Sequence, residues 1–514
     1  MKSVLEYLEA SAMWYPDKTA FADETDACTF AELMRDARAI GTRLAAYQIR
    51  RRPVAVMMEK SVAAMKVMMG ILYAGGFYVM LDASHPAIRL NQILSALTDP
   101  GGASLLIASP ENVGTAQELA FSGTLLASEE LSAGETDLTQ LEQIQREQCD
   151  TDPLYVLFTS GSTGVPKGVI ISHRSVIDFM EYFTTIFGIT ETDVLGNQAP
   201  WDFDVSVKDI YAGLKTGATV QIIPRKLFSF PMPLLDFLIT RGVTNLTWAV
   251  SALCIVSTLD GFSYRVPTAL RRVMFSGETM PIRHLNYWRE HLPDTMFVNL
   301  YGPTEITCNC TYYILDRTFA PGEVLPIGKT FPNEKVFLLD EKDREVTSPG
   351  EKGEICVAGT ALALGYYRNP EQTAKAFVQN PLNPCYPELI YRTGDLGVYN
   401  ERGELCFASR KDFQIKHMGH RIELGEIECA MEKVEAVVRS ACLFDQQKNR
   451  IVCCYEGAAD KKQIREALHK LLPEYMIPNV FRQMEKVPLS KNGKIDRKLL
   501  QEQYAGERRS KWKN

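Results

Sequence analysis

The chain has no excess of basic charge, no cysteine array and no long apolar run, and each absence removes a class of function. Lys and Arg number 56 against 63 Asp and Glu, for a formal net charge of −7. A general nucleic-acid or anionic-membrane binder would be basic, so that class is excluded. The 12 Cys are scattered. Cys308 and Cys310, and the adjacent Cys453 and Cys454, do not make a paired C-x-x-C set, which argues against structural zinc. Reduced thiols and a cytoplasmic location fit this usage. No uninterrupted apolar stretch reaches membrane-spanning length. The opening Met1-Lys-Ser-Val-Leu-Glu-Tyr carries charge too early and too often for a secretory signal. Repeats and low-complexity tracts are absent as well. What is present is ordinary for a soluble enzyme: 46% hydrophobic and 23% charged residues in 514. That length implies two or more domains.

The densest chemical signal is Leu154-Tyr-Val-Leu-Phe-Thr159-Ser160-Gly161-Ser162-Thr163-Gly164-Val-Pro-Lys167-Gly168. An apolar run reads as a buried strand, and a hydroxyl- and glycine-rich loop follows it. Gly161 and Gly164 lack Cβ, so the loop can bend sharply and bring backbone N–H groups close to an anion. Thr159, Ser160, Ser162 and Thr163 add hydroxyl donors, and Lys167 adds positive charge. The combination suits a phosphate chain. It is not a Walker A loop, because the G-x-x-x-x-G-K-[ST] spacing is missing.

Before this loop, helix-like and strand-like segments alternate. Thr29-Phe-Ala-Glu-Leu33 opens an amphipathic helix running towards Tyr47, Pro53–Met58 reads as a strand, Ser61 to Gly75 as a helix and Phe77–Leu81 as the next strand. This rhythm implies a largely parallel, helix-covered sheet. Residues 130 to 150 are polar and acidic and predict a helix or connector. Val220–Ile223 and Arg272–Phe275 continue the strands. Beyond about residue 320, short strands with Gly and Pro turns predict a β-rich subdomain. A boundary falls near Ser409-Arg410-Lys411-Asp412, and the residues beyond it suffice for a small α/β domain.

The loop resembles the phosphate loop of the adenylate-forming superfamily: acyl-CoA synthetases, firefly-type luciferases and the adenylation domains of nonribosomal peptide synthetases. The resemblance spans nearly the whole chain. It includes Ile71–Asp82, Phe203-Asp204-Val205-Ser206, Asn299-Leu-Tyr301-Gly302-Pro303-Thr304-Glu305, Gly353–Gly359, Tyr391–Leu396, Asp412–Lys416, Gly419–Glu428, Leu472–Pro478 and Asn492-Gly493-Lys494-Ile-Asp496-Arg497. The fold so implied is α/β. It has a large N-terminal multi-subdomain part with helix-covered sheets and a β-rich subdomain (1–408), a hinge (409–412) and a small mobile C-terminal domain carrying the catalytic lysine (413–514).

The resemblance assigns roles. ATP would be held by the 159–167 loop with Gly277, Glu278, Asn299, Leu300, Tyr301, Gly302, Thr304, Asp395, Arg410 and Lys494. Glu305 would ligate Mg²⁺, a hard cation that takes oxygen, and Thr304 would donate to the α-phosphate. Asp395 would read the ribose, since a carboxylate can accept two hydroxyl bonds. Arg410 would reach the ribose or phosphate side, although Ser409 stands where the family has Gly. Lys494 would stabilise charge in adenylation. Asp412 would be the hinge residue, and Gly419 would let a pantetheine arm pass close to backbone.

The resemblance also addresses which acid is activated. Asp204 stands where amino-acid adenylation domains pair a carboxylate with the substrate's ammonium group. The pocket would be lined by Phe203, Val205, Lys208, Thr247, Met274, Ser276, Leu300, Gly302, Cys308 and Asn309. Chain length, Gln414-Ile-Lys416 and Gly277-Glu278-Thr-Met-Pro281 look most like D-alanine–carrier protein ligases. Those enzymes have Cys at the position of Ser276 and an apolar residue at that of Lys208. Lys208 lies four residues after Asp204, on the same helix face. It either meets a carboxylate or hydroxyl of the substrate or pairs with Asp204. An amino-bearing aryl acid would also suit Asp204. No condensation domain and no Gly-Gly-x-Ser carrier motif is visible, so the expectation is a free-standing enzyme that loads the phosphopantetheine of a separate carrier protein. The alternative is an acyl- or aryl-CoA synthetase.

Overall fold

Apolar runs without polar breaks become buried parallel strands here. A computed structural model describes residues 1–98, 104–131, 135–161, 164–320, 322–446, 448–488 and 495–510, with the side chains of 498 and 505–510 left aside. By contact the chain divides into two units: 1–82, 94–158 and 168–411 in one, and 83–93, 159–167 and 412–514 in the other.

The first unit carries two large sheets. In one, the strands run in the order Gly365–Tyr366, Lys167–Ser172, Pro153–Thr159, Phe77–Met80, Pro53–Met57, Leu105–Ala108, Thr124–Ala127. The predicted early strands and helices are here. The helix Phe30–Ala45 starts at Thr29, whose side chain and that of Glu32 close a reciprocal capping box, worth about 1 kcal/mol. Ser61 caps Val62–Tyr73 by accepting from Ala64 N–H. The polar connector is a helix at Leu138–Arg146.

The other sheet has a parallel centre. Thr219–Ile222, Val194–Asn197, Asn245–Ala249, Arg272–Ser276 and Met296–Tyr301 lie side by side in that order. The chain then turns back through Thr311–Ile314, antiparallel to Met296–Tyr301. It continues into the predicted β-rich part, where Leu389–Tyr399 and Leu405–Arg410 pair antiparallel. Fully buried Trp248, Trp288 and Phe275 anchor one apolar cluster beside this sheet. Burying aromatics of this size contributes on the order of 2–3 kcal/mol each.

In the second unit, Val437–Asp445, Arg450–Gly457 and Val480–Gln483 form a sheet packed by Leu424–Met431 and Lys461–His469. A hairpin, Gln414–His417 with His420–Glu423, turns through Met418 (φ 52°) and Gly419 (φ 82°). Two successive positive φ values match the twist of a two-residue hairpin. Arg89 reaches Glu426 at 2.7 Å, with both side chains nearly sealed (5% and 4% exposed). No helix among the described residues is long and apolar enough to cross a membrane.

Candidate active site

Ligands of open α/β sheets bind outside the carboxyl ends of the strands. In the first unit those ends belong to Val194–Asn197, Asn245–Ala249, Arg272–Ser276 and Met296–Tyr301. Register sets Thr247 beside Met274 and Ala249 beside Ser276, and Phe275 beside Asn299. The predicted pocket residues Thr247, Met274, Ser276 and Leu300 are therefore neighbours on adjacent strands, and all four are buried.

The helix Ser206–Thr216 brings Phe203, Asp204, Val205 and Lys208 to this region. Ser206 Oγ donates to Phe203 O at 2.8 Å, shaping the entry turn. Thr304 Oγ1 donates to Asp204 Oδ2 at 2.7 Å. A hydroxyl has one proton, so donation from Thr304 to a phosphate would require this bond to break. Of the two roles open to Lys208, the pair with Asp204 is not what the structure holds. Its Nζ donates to Ser276 Oγ at 3.2 Å and Asn309 Oδ1 at 2.9 Å.

The segment 302–310 joins the strands Met296–Tyr301 and Thr311–Ile314 in a tight path. A Cβ on Gly302 would lie 2.6 Å from Asn309 Cα and 2.7 Å from Cys308 O, both backbone, so only glycine fits. Thr307 and Cys308 both adopt positive φ, 53° and 78°, which costs on the order of 1–3 kcal/mol each and is concentrated at functional sites. Glu305 is fully buried, and its Oε1 accepts from Tyr366 OH at 2.8 Å. A carboxylate oxygen is the donor type that Mg²⁺ takes beside phosphates and waters, so the residue suits the ion assigned to it. Asn299 Nδ2 donates to Pro326 O at 2.8 Å. Gly277 has φ 94° and open space around it, next to Glu278.

Asp395 and Arg410 are cross-strand partners. Arg410 Nη1 donates to Asp395 Oδ1 at 2.5 Å, and Tyr301 OH donates to Oδ2 at 2.6 Å. Burial, and then the Asp395 carboxylate, pushes the Tyr301 hydroxyl well above its usual range, so it stays a donor.

In the second unit, the phosphate-type loop keeps its first three residues and its exit in view, whereas Ser162 and Thr163 lie outside the described residues. Gly164 N–H bonds Gly161 O at 3.0 Å. A Cβ on Gly161 would fall 2.0 Å from Val165 O, which explains the glycine. Thr159 Oγ1 points to Lys167 O at 3.5 Å, and Ser160 Oγ donates to Arg421 O at 2.6 Å. Asp412 begins the C-terminal part of this unit and its Oδ1 accepts from Gln414 N–H at 3.2 Å. Gly419 is at the hairpin turn. Lys494 also lies outside the described residues.

Several groups at the strand ends carried no sequence signal. Tyr366 is 61 residues from Glu305. Asp209 is sealed; burial raises its carboxyl to about 7 against the pull of Asn197, Lys208 and Lys60. Lys60 is lowered to about 7 by burial and donates to Asn197 O and Gln198 O. Tyr155 OH is buried with no hydrogen-bond partner among the described residues. Only contacts between distant segments create these environments.

A family model for AMP-binding enzymes matches residues 8–367, over two thirds of the chain. The chain belongs to the AMP-binding enzymes. Its relatives are adenylation domains of nonribosomal peptide synthetases within the adenylate-forming superfamily. Tyrocidine synthase 1 of Brevibacillus parabrevis is 32% identical over 510 residues, covering 98% of this chain. The chain spans 45% of that synthetase's length and 9% of bacitracin synthase 1 of Bacillus licheniformis. Against zwittermicin A synthase ZmaJ of Bacillus cereus it is 32% identical, with 97% of this chain and 94% of the relative covered. Among solved structures, the adenylation domain AlmE of Vibrio cholerae, in complex with glycyl-adenosine-5'-phosphate, has the same fold. It aligns with a TM-score of 0.81 at 21% identity, covering 98% of each chain. IdnL1 aligns with a TM-score of 0.78 at 25% identity, covering 95% of this chain and 99% of the other. The α/β class expected from sequence is the observed one.

Proposed function

We propose that this AMP-binding enzyme activates an amino acid, or an amino-bearing aryl acid, with ATP. The acid's carboxylate oxygen attacks the α-phosphorus, the bond to the β-phosphate breaks and pyrophosphate leaves. The thiol of a carrier protein's phosphopantetheine then attacks the acyl carbon, and AMP departs as the thioester forms. The observation that carries this reading is Asp204, a carboxylate 7% exposed at the strand ends and oriented by Thr304 at 2.7 Å. A carboxylate so placed suits an ammonium group.

In this scheme Asp395, braced by Tyr301 and Arg410, reads the ribose. Magnesium, when bound at Glu305, neutralises charge on the phosphates. Lys494 supports the adenylation transition state. Residues 1–408 form the catalytic core, 409–412 the hinge at Asp412, and 413–514 the moving part that later presents Gly419 to the pantetheine arm. Such a movement of 413–514 would break the bond between Ser160 and Arg421 O. The thioester acceptor is a carrier bearing phosphopantetheine, and the reaction is cytoplasmic.

The test is pyrophosphate exchange with an amino acid and its desamino analogue, on the wild type and on Asp204→Ala. The wild type should strongly prefer the amino acid, because the desamino acid cannot give Asp204 the charge-assisted N–H bond that the ammonium group supplies. Asp204→Ala should lose about 1.5–3 kcal/mol on the amino acid alone. Equal use of both acids by the wild type would reject the amino-acid reading in favour of an acyl- or aryl-CoA synthetase.

A further inference from the structure

The four residues 409–412 are not tied alike. Ser409 and Arg410 close the ladder between Leu405–Arg410 and Leu389–Tyr399, opposite Leu396 and Asp395. Lys411 lies one residue past the strand, yet it is held by backbone and side chain together. Its N–H bonds Gly394 O at 2.8 Å, and its Nζ donates to Glu354 Oε2 at 3.0 Å. Asp412 is tied forwards instead, accepting on Oδ1 from Gln414 N–H at 3.2 Å. The division of the chain into two units falls between Lys411 and Asp412.

Glu354 makes the hold on Lys411 firm. It sits in the strand Lys352–Gly359 with its side chain 7% exposed, and it accepts from three donors. Oε2 takes Lys411 Nζ and, at 2.8 Å, Arg392 Nε; Oε1 takes Gly394 N–H at 3.1 Å. Gly394 therefore gives its N–H to Glu354 and its carbonyl to Lys411, and the bond from Lys411 to Glu354 closes a ring of three residues. Two of its bonds end on a carboxylate, the stronger kind. All three residues belong to the first unit. Asp395, the next residue, is oriented separately by Tyr301 and Arg410, so releasing Lys411 takes no partner from that carboxylate.

We infer that Glu354 is a positioning residue that pins Lys411 to the core and confines the swing of the C-terminal part to Asp412. The inference rests on the hinge reading of 409–412. Rotation about one residue's φ and ψ carries the moving part along a defined path only if the residue before it stays still. Without the pin the swing spreads over Lys411 as well, and fewer swings end in register. Adenylation, measured in one arrangement, suffers less from that loss than the full cycle, which must leave the arrangement and return to it.

The experiment compares two rates of the intact protein: pyrophosphate exchange, and AMP release dependent on pantetheine as the thiol acceptor, both with the acid that serves best in exchange. Their ratio does not depend on how much of a preparation is folded. Lys411 is 39% exposed, so its bond is partly screened, and Lys411→Met should lower the ratio of AMP release to exchange about two- to fivefold. KM for ATP should stay unchanged, and Lys411→Arg should match the wild type. In Glu354→Gln, a lysine-specific protease should cut the 411–412 bond about tenfold faster than in the wild type, with cleavage after other lysines unchanged. Equal loss of both rates in Lys411→Met would make the ring ordinary packing and overturn the proposal, as would cleavage rising equally at every lysine in Glu354→Gln. Lys411→Met decides even if Glu354→Gln fails to fold. Asp412→Pro, measured by the same ratio, tests the hinge reading by itself. A ratio unchanged there faults that reading; a ratio lowered there and unchanged in Lys411→Met faults the pin.

Discussion

Removing a ribose hydroxyl from ATP, in the wild type and in Asp395→Ala, probes the Tyr301–Asp395–Arg410 group quantitatively. A carboxylate offers about four acceptor positions. Arg410 takes one on Oδ1 and Tyr301 one on Oδ2, which leaves room for two hydroxyl donors. A hydrogen bond to a charged group is worth about 1.5–3 kcal/mol, or about 10- to 150-fold. The wild type should therefore lose that factor in kcat/KM when 2′-deoxy-ATP or 3′-deoxy-ATP replaces ATP in pyrophosphate exchange. Asp395→Ala should use the three nucleotides within about threefold of one another, all of them poorly. The substitution also breaks the pair with Arg410, whose side chain is 10% exposed, at a stability cost of about 3–5 kcal/mol. The double variant Asp395→Leu/Arg410→Met should regain much of that stability and still lack discrimination. Equal use of the three nucleotides by the wild type would refute the assignment, as would discrimination surviving in Asp395→Ala.

Further expectations concern other parts of the molecule. Arg89→Met should cost about 3–5 kcal/mol in urea unfolding of the whole chain by stranding buried Glu426, and Arg89→Met/Glu426→Met should recover most of it; equal stabilities of the single and double variants would count against the pair. Burial lowers His173 from 6.5 to about 4. The unfolded chain therefore takes up that proton first, and its contribution, complete above about pH 6.5, declines by about 1.4 kcal/mol per unit as pH falls towards 4. His173→Gln should flatten that slope, and parallel slopes would dismiss it. Lys494→Ala should slow pyrophosphate exchange by about 10²-fold or more, roughly 3 kcal/mol, while sparing carrier loading from pre-formed adenylate; near-normal exchange would make Lys494 an ordinary turn residue.

Local signals located most of the framework. Thr29 with Glu32, and Ser61, mark helix starts by capping chemistry that acts within three residues. The runs Pro53–Met57, Phe77–Met80 and Arg272–Ser276 are legible because strands buried on both faces have no polar alternation. The glycines at 161 and 164 were readable as a sharp bend, although what would collide with a Cβ at 161 was not. Side-chain partnerships were less accessible. Spacing alone left Lys208 equally able to face Asp204 or a ligand, and the partners it has, Ser276 and Asn309, lie 68 and 101 residues away. The same holds for Tyr366 on Glu305 and for the buried group Lys60, Lys208 and Asp209, whose electrostatics exist only once distant segments pack.

The discontinuous second unit bears on how such enzymes can be recombined. Residues 412–514 share their contacts with 83–93 and 159–167, and the ties are specific: Arg89 to Glu426 and Ser160 to the Arg421 carbonyl. A chimera cut only between Lys411 and Asp412 would import a buried glutamate into a host that need not offer an arginine opposite it. The same cut would set a foreign carbonyl over the host's serine. A graft that also carries 83–93 and 159–167 from the donor would keep both ties. The transplantable piece is therefore three separate segments gathered in space and not one continuous stretch of chain.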